Sequence, residues 1–528
     1  MCGCSRATPS AWRKCISKPL PCHAAVSARL AVRGLLIGGI GCAALTAPFA
    51  MAQQKDGAQV GSGAGTGQPR QVDPLTGRPV DTSGAPADIV DQRAAERDRS
   101  TSDVARERQV PAYIALPSLA PADAQPSGAS RRDRALSQRV LPGTLVRQRR
   151  RPEYDAQGFR AGEMRILPYV MAGLGYDSNV YAEEKGRDDV FGSITAGVVA
   201  RSDWGRHAVA FTGDVRRREY ASYDTENATT YSLDAEARLD LAGRNNLTFH
   251  ASDERAVLSR SIVDEIVTQA FPTKVRNSLG EVVAHVERGP IELDLTGSVV
   301  RQNYRNNVGQ AGTVIDQSFR NYDGTGAKVA VGYDIGGLRS AYGEFSVDRR
   351  RFDSVAGGLS RDVDVFSIIG GLRGGLSQLV RGRFGLGYMK LDFKQAGIDS
   401  LNAFAVDAAV DWLYSERTTF SLRATRGLRS VAQQNSLGTI LTVVSLNADH
   451  EARRNLILSA SLRQQWSDYI GDDRRASASG ITVSATWFLD RHLQVRPEMS
   501  YLKRTDRGFT IDASPENFFG GASLTYKF

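Results

Sequence analysis

The chain has no cysteine beyond Cys42; all five (Cys2, Cys4, Cys15, Cys22 and Cys42) precede residue 53. A disulfide framework, a thiolate metal site and a cysteine nucleophile are therefore excluded from the remainder. Long apolar runs are missing too. A membrane-spanning helix needs about 20 consecutive apolar residues; no such run occurs, and the mean hydropathy of −0.31 argues against a multi-span helical protein. Charge of one sign is scarcer than the formal +9 suggests. Residues 1–52 carry six of the 67 Lys and Arg (Arg6, Arg13, Lys14, Lys18, Arg29, Arg33) and no acid, so the rest is nearly balanced. No nucleic-acid partner is expected from that balance.

Catalytic signatures are absent as well. His207, His250, His285, His450 and His492 are scattered, and there is no Gly-x-Ser-x-Gly, His-Glu-x-x-His or phosphate loop. His250 falls on a polar strand face, where a solvated histidine is a simpler reading than the base of a triad built from distant strands. The acids of 468–473 (DYIGDD) could hold calcium, which takes oxygen ligands, but a solvated loop is the simpler reading, and no metal site is expected. No enzyme activity and no cofactor is expected.

The first segment present is an export signal. Arg29 and Arg33 precede the apolar run Leu35 to Leu45, and Ala50-Met51-Ala52 before Gln53 forms a small-x-small cleavage site. A retained anchor helix is the alternative, weakened by Gly38, Gly39, Gly41 and Pro48. Residues 53–155 follow as a linker rich in Gly, Ala, Pro, Gln, Asp and Arg. Such a composition buries too little apolar surface to offset chain entropy. Its basic run Arg147, Arg149, Arg150, Arg151 reads as a solvated linker end, with contact to lipid or glycan phosphates as the other reading.

From residue 156 to 528 short stretches alternate apolar and polar residues with period two, the mark of a strand with one apolar face. Tyr231, Leu233, Ala235, Ala237, Leu239 and Leu241 alternate with Ser232, Asp234, Glu236, Arg238 and Asp240. Ile291 to Val299, Phe404 to Trp412 and Ile481 to Trp487 repeat the pattern. Connections alternate between tight turns, such as Asp203-Trp204-Gly205-Arg206 and Asp490-Arg491-His492, and long polar loops, such as 177–189, 255–276, 304–318, 428–438 and 505–516. Aromatic residues sit at strand ends on the apolar face: Trp204, Tyr333, Trp412 and Trp487 toward the turns, Tyr176, Tyr388, Trp466 and Tyr501 toward the loops. Two aromatic girdles and unequal connections are the arrangement of an outer-membrane barrel.

An all-β fold follows: an antiparallel transmembrane β-barrel of about eighteen strands, sixteen also fitting, exported to the cell outer membrane and in contact with its lipids. Pro168 and Pro497 fall inside strands, where bulges are expected because proline cannot donate to the ladder. Parity places Leu295 and Val483 toward lipid and Asp294 and Ser484 toward the lumen. The same parity lines the lumen with Asp234, Glu236, Asp294, Glu344, Asp407, Asp411 and Glu498 and with Arg238, Arg381, Arg383, Arg423, Arg463 and Arg496.

Residues 154–181, with Gly158-Phe159-Arg160, Gly162, Pro168 and Tyr176-Asp177-Ser178-Asn179-Val180-Tyr181, together with the turn 201–207, resemble the family called putative beta-barrel porin 2. The resemblance covers about 150–528. It implies a Gram-negative outer-membrane barrel, often associated with extracellular polysaccharide systems, and no particular substrate. The closing strand, with Leu524, Tyr526 and terminal Phe528 on one face, resembles the signal read by the barrel assembly machinery. Three functions remain open: a porin-like channel for small polar solutes, an export conduit for a polysaccharide, and an outer-membrane anchor.

Cleavage after Ala52 has a direct check. Amino-terminal sequencing of the protein from cell envelopes should return Gln53, and an intact Met1 would refute the export reading.

Overall fold

The structure is a computed structural model that describes residues 145–149, 151–258, 260, 269–309, 312–336, 339–355, 357–508 and 514–528. Eighteen long strands make up most of it. The first six are β1 Met164–Asp177, β2 Asp189–Ser202, β3 Ala208–Tyr220, β4 Ala228–Asp240, β5 Asn246–Val257 and β6 Lys274–Arg288. Next come β7 Ile291–Tyr304, β8 Tyr322–Gly336, β9 Arg339–Phe352, β10 Val363–Gly375, β11 Val380–Phe393 and β12 Leu401–Ser415. The last are β13 Thr418–Arg429, β14 Gly438–Arg453, β15 Leu456–Ile470, β16 Arg475–Phe488, β17 Leu493–Arg507 and β18 Glu516–Lys527. Each pairs antiparallel with its neighbours in sequence, and β18 pairs with β1 from Tyr169↔Lys527 to Asp177↔Phe519. The sheet thus closes on itself, as spanning strands must when lipid offers no hydrogen-bond partners.

The ends of the closing pair are tied. The Gly158 N–H donates to the Phe528 carbonyl (3.2 Å), and the Phe528 N–H donates to the Pro168 carbonyl (3.1 Å). Tight turns join the strands at this end, among them 241–245, 289–290, 416–417 and 454–455. Gly289, at φ +60°, supplies a left-handed turn position that other residues resist. In the turn 489–492 the Asp490 carboxylate accepts from the N–H of His492 (2.6 Å) and of Leu493 (2.8 Å), which holds its pKa below the ordinary range. The longer connections, such as 178–188 and 430–437, lie at the other end.

The expected bulges at the prolines are not there. β1 keeps one register with β2 through Pro168↔Val198. At Pro497 the ladder to β16 skips two positions and resumes in the same register, while Pro497↔Ala522 holds on the other side. One lost hydrogen bond is absorbed without adding a residue. The register shifts that do occur lie between Asp334 and Gly336, Trp412 and Ser415, and Glu451 and Arg453, all beside tight turns.

One seam is short. β12 and β13 pair only from Ser415↔Thr418 to Ala408↔Ala424. Above that point β12 continues against β11 alone and β13 against β14 alone. A buried cluster explains the parting. Leu428 of β13 and Ile440 of β14 have the parity of the exposed Leu422 and Leu446, yet are 4% and 5% exposed. They share a cluster with Val363, Val365, Ile369, Met389, Leu391, Phe393, Ala403 and Ala405. Those residues have the parity opposite to the exposed Ile368, Tyr388 and Phe404. The outward face of the β13–β14 end therefore rests on the inward face of β10–β12. Apolar packing inside the barrel replaces the missing ladder.

Leu428→Ala should therefore cost about 2–5 kcal/mol of unfolding free energy, the range for a buried leucine. The exposed Leu446→Ala should cost clearly less, and denaturant titration in detergent compares the two.

Candidate solute pathway

The inner wall is built by alternation: each strand that presents apolar residues outward presents its other face to the enclosed side. Across β6–β12 these inner faces form one charged network. His285 Nδ1 lies 3.0 Å from Asp294 Oδ1. Arg373 on β10 reaches Glu292 Oε2 at 2.6 Å and Asp294 Oδ2 at 3.5 Å. Lys328 and Arg383 each lie 3.8 Å from Glu344 Oε2, and Arg383 also pairs with Asp407. The Arg373 and Arg383 guanidiniums sit 5.9 and 5.7 Å from the centre of the Tyr342 ring.

Glycine makes that arrangement fit. Tyr342 faces Gly332 and Gly371 in register, and Gly371 faces Gly385. A Cβ at Gly385 would overlap the Tyr342 hydroxyl, and one at Gly332 would overlap the Arg373 guanidinium. The same glycines spoil the alternation of β8 and β10. Parity counting singled out Asp294, Glu344, Arg383 and Asp407 and put Glu292 on the polar face beside Asp294, but missed their partners Lys328, Tyr342 and Arg373. An unbroken strand register through the Gly-rich segments was the signal that could have found them.

The remaining charges form local pairs. His250 Nε2 contacts Asp234 Oδ2 at 2.8 Å, and Glu236 faces His250 in register. Arg238 pairs with Asp240 (2.9 Å), Arg423 with Asp411 (2.7 Å) and Arg496 with Glu498 (2.7 Å). Arg381 is buried opposite Asp411 in register. Among the described residues Arg463 joins neither the network nor a pair. Asp294, engaged by His285 and Arg373, is not a freely solvated lumen acid.

At the loop end, segment 430–437 crosses the enclosed space. Ser430 Oγ donates to Gln302 of β7 (3.4 Å), Arg350 of β9 donates to the Leu428 carbonyl (2.9 Å), and Arg361 donates to the carbonyls of Val431 (3.1 Å) and Gln433. Val431 packs with Tyr469, Ala476, Ala478 and Leu502 of β15–β17. The connections 221–227 and 258–273 meet there through Arg260–Glu226 (2.7 Å), and Arg504 Nη1 donates to the Arg260 carbonyl (3.0 Å).

At the turn end the basic run corrects the sequence reading. Arg147 pairs with Asp449 at 2.6 Å, and Arg149 and Arg151 pair with Glu451 at 3.0 and 3.3 Å. Asp449 and Glu451 lie on the inward face of β14. Val146 is wholly buried, and its N–H donates to Thr419 Oγ1 (3.4 Å). Arg151 Nη2 also bonds the Val146 carbonyl (2.9 Å) and Nε the Arg454 carbonyl (3.1 Å). These arginines are clamped against the barrel, and contact with it begins before residue 155. Local sequence could not show this, because the acids lie some 300 residues away.

The eight strand-end aromatics Tyr176, Trp204, Tyr333, Tyr388, Trp412, Trp466, Trp487 and Tyr501 are all exposed. So are Leu524, Tyr526 and Phe528; the Tyr526 and Phe528 rings meet edge to face at 5.0 Å. Ala50, Ala52 and Gln53 lie outside the described residues, as does most of 53–155. Asp472 pairs with Arg474 at 2.5 Å, and no cluster of metal-binding side chains occurs among the described residues. His450 bonds the Thr418 hydroxyl (2.9 Å) on the outward side, away from the charged network.

A family model described as Putative beta-barrel porin 2 matches residues 151–518. The chain belongs to this family. Its fold is that of an outer-membrane β-barrel. Among curated proteins none matches. Solved structures with a similar fold include the siderophore receptor PirA from Pseudomonas aeruginosa (7% identity, TM-score 0.34, 69% of this chain and 80% of that one). The copper transporter OprC (11%, 0.36, 74% and 85%) and the FrpB iron transporter from Neisseria meningitidis, F5-1 variant (9%, 0.37, 71% and 83%) are similar to the same degree. Likeness at this level carries nothing about function.

The clamp on the basic run is open to test. Glu451→Gln should expose Arg149 to trypsin, raising cleavage after it by about tenfold if one charge-assisted pair is lost; an unchanged digestion rate would place this arginine outside the clamp.

Proposed function

We propose that this barrel is a channel for small polar solutes across the outer membrane. The observation that carries the reading is the inner-wall network of β6–β12, where acids and bases line an enclosed surface and compensate each other. A barrel of this strand number leaves an aqueous channel unless something fills it. Here the overlap at the β12–β13 seam and segment 430–437 narrow the loop end, and residues 145–151 narrow the turn end.

Several further roles belong to the same proposal. Residues 1–52 export the chain and are removed before Gln53. The exposed strand-end aromatics meet the two lipid headgroup layers, where amphipathic rings are favoured. Leu524, Tyr526 and Phe528 present the closing strand to the barrel assembly machinery. No catalytic step is assigned.

Single-channel recording of the purified full chain, and of chains lacking 53–144 or 53–151, tests the channel. The full chain should conduct, and the longer deletion should raise conductance beyond the shorter one. A barrel that folds but conducts in none of the three forms would overturn the channel in favour of an anchor. Passage of oligosaccharides but not of small ions would favour an export conduit.

A further inference from the structure

We propose that the inner wall at Arg463 is a binding site for an oxyanion, the carboxylate or phosphate of a solute in transit. It rests on the channel reading and adds a substrate class to it. Arg463 lies on the inward face of β15. Register puts Ser445 beside it on β14 and Arg423 beyond on β13, with Gly480 on its other side. Two arginines therefore flank one serine at a single level of the barrel, and the glycine leaves the wall next to Arg463 without a side chain.

The two arginines differ in their partners. Arg423 Nη2 is held by Asp411 at 2.7 Å. Among the described residues Arg463 makes no ion pair, and its Nε and Nη2 are enclosed without a hydrogen bond. The acids on neighbouring strands are already engaged. Asp411 accepts from Arg423 and Ser421, Asp449 from Arg147 and Ser459, and Glu498 from Arg496. Arg429 is close enough for its charge to act on Arg463, so the surroundings are cationic.

The free atoms also have the right shape. Nε and Nη2 form one edge of the guanidinium, with two parallel N–H bonds matched to the spacing of carboxylate or phosphate oxygens. This barrel uses that edge elsewhere. Arg496 presents Nε (3.1 Å) and Nη2 (2.7 Å) to Glu498. Arg463 presents the same edge with no acid among the described residues to fill it. Ser445 and Ser461 add hydroxyls on the same wall, able to donate to a bound anion. A monovalent halide could not use both N–H bonds in parallel, so the geometry favours an oxyanion over chloride.

The test is calorimetric titration of the detergent-solubilised full chain with glucuronate, with inorganic phosphate and with sodium chloride. Arg463→Gln and Arg463→Lys are compared with the wild type, and heat-modifiable gel mobility verifies folding. Saturable binding of glucuronate or phosphate above the chloride response is expected, the tighter of the two naming the solute class. Arg463→Gln should weaken it by about tenfold or more, the worth of a charge-assisted pair. Arg463→Lys, which keeps the charge without the fork, should fall between; it also carries the test if Arg463→Gln does not fold. Wild-type affinity in the folded glutamine variant, wild-type affinity in the folded lysine variant, or no binding by the wild type would each overturn the site. Binding without conductance would overturn the channel and leave the site, whereas conductance without binding would do the reverse.

Discussion

Backbone pairing is the constraint on which the rest of this molecule depends. In hydrocarbon each unpaired N–H or carbonyl costs several kcal/mol, so eighteen strands must form one continuous ladder. The pairing of β18 with β1 completes it, and the bonds between Phe528, Gly158 and Pro168 lock the final turn end. Alternation follows from closure: once the ladder is complete, side chains can point only to lipid or to the enclosed side. The outside is then necessarily apolar, and the inside is free to hold charge.

The one incomplete part of the ladder shows how a barrel tolerates an exception. Where β12 and β13 separate, the strands overlap rather than leave two bare edges in lipid. The apolar parity of β13–β14, which would otherwise face lipid, covers the apolar inner faces of β10–β12. This is a sheet packed on a sheet, with side chains interlocking as in a sandwich core, placed inside a membrane barrel. The apolar cluster reaches Tyr342, whose ring also lies against the Arg373 and Arg383 guanidiniums of the charged network.

Charge inside the barrel is organised by the same geometry. Acids and bases on inward faces meet along one strand or across one to three strand spacings, so most of the charged side chains are compensated within the wall. Two departures carry the functional reading. The basic run before β1 is drawn in by Asp449 and Glu451, which places the chain's own residues in the mouth. Arg463 is left with its bidentate edge unused, which gives the wall a local preference for oxyanions.

The sequence by itself was enough for the strand count, the antiparallel closure and the division into turn and loop ends. These depend on patterns two to fifteen residues long, and a strand's parity is written in its own residues. Parity also marks a set of charges, from Asp234 to Glu498, for the inner face. Only the tertiary structure decided what those charges do. Arg373 meets Glu292 across strands that are distant in sequence, and Arg147 meets Asp449 from 302 residues away. The overlap at β12–β13 was invisible for the same reason: Leu428 has the parity of a lipid-facing residue, and nothing local shows that the surface covering it is another part of the barrel. Pairing between neighbours is a local property of an alternating chain, whereas the partner across the lumen is set only when the barrel closes.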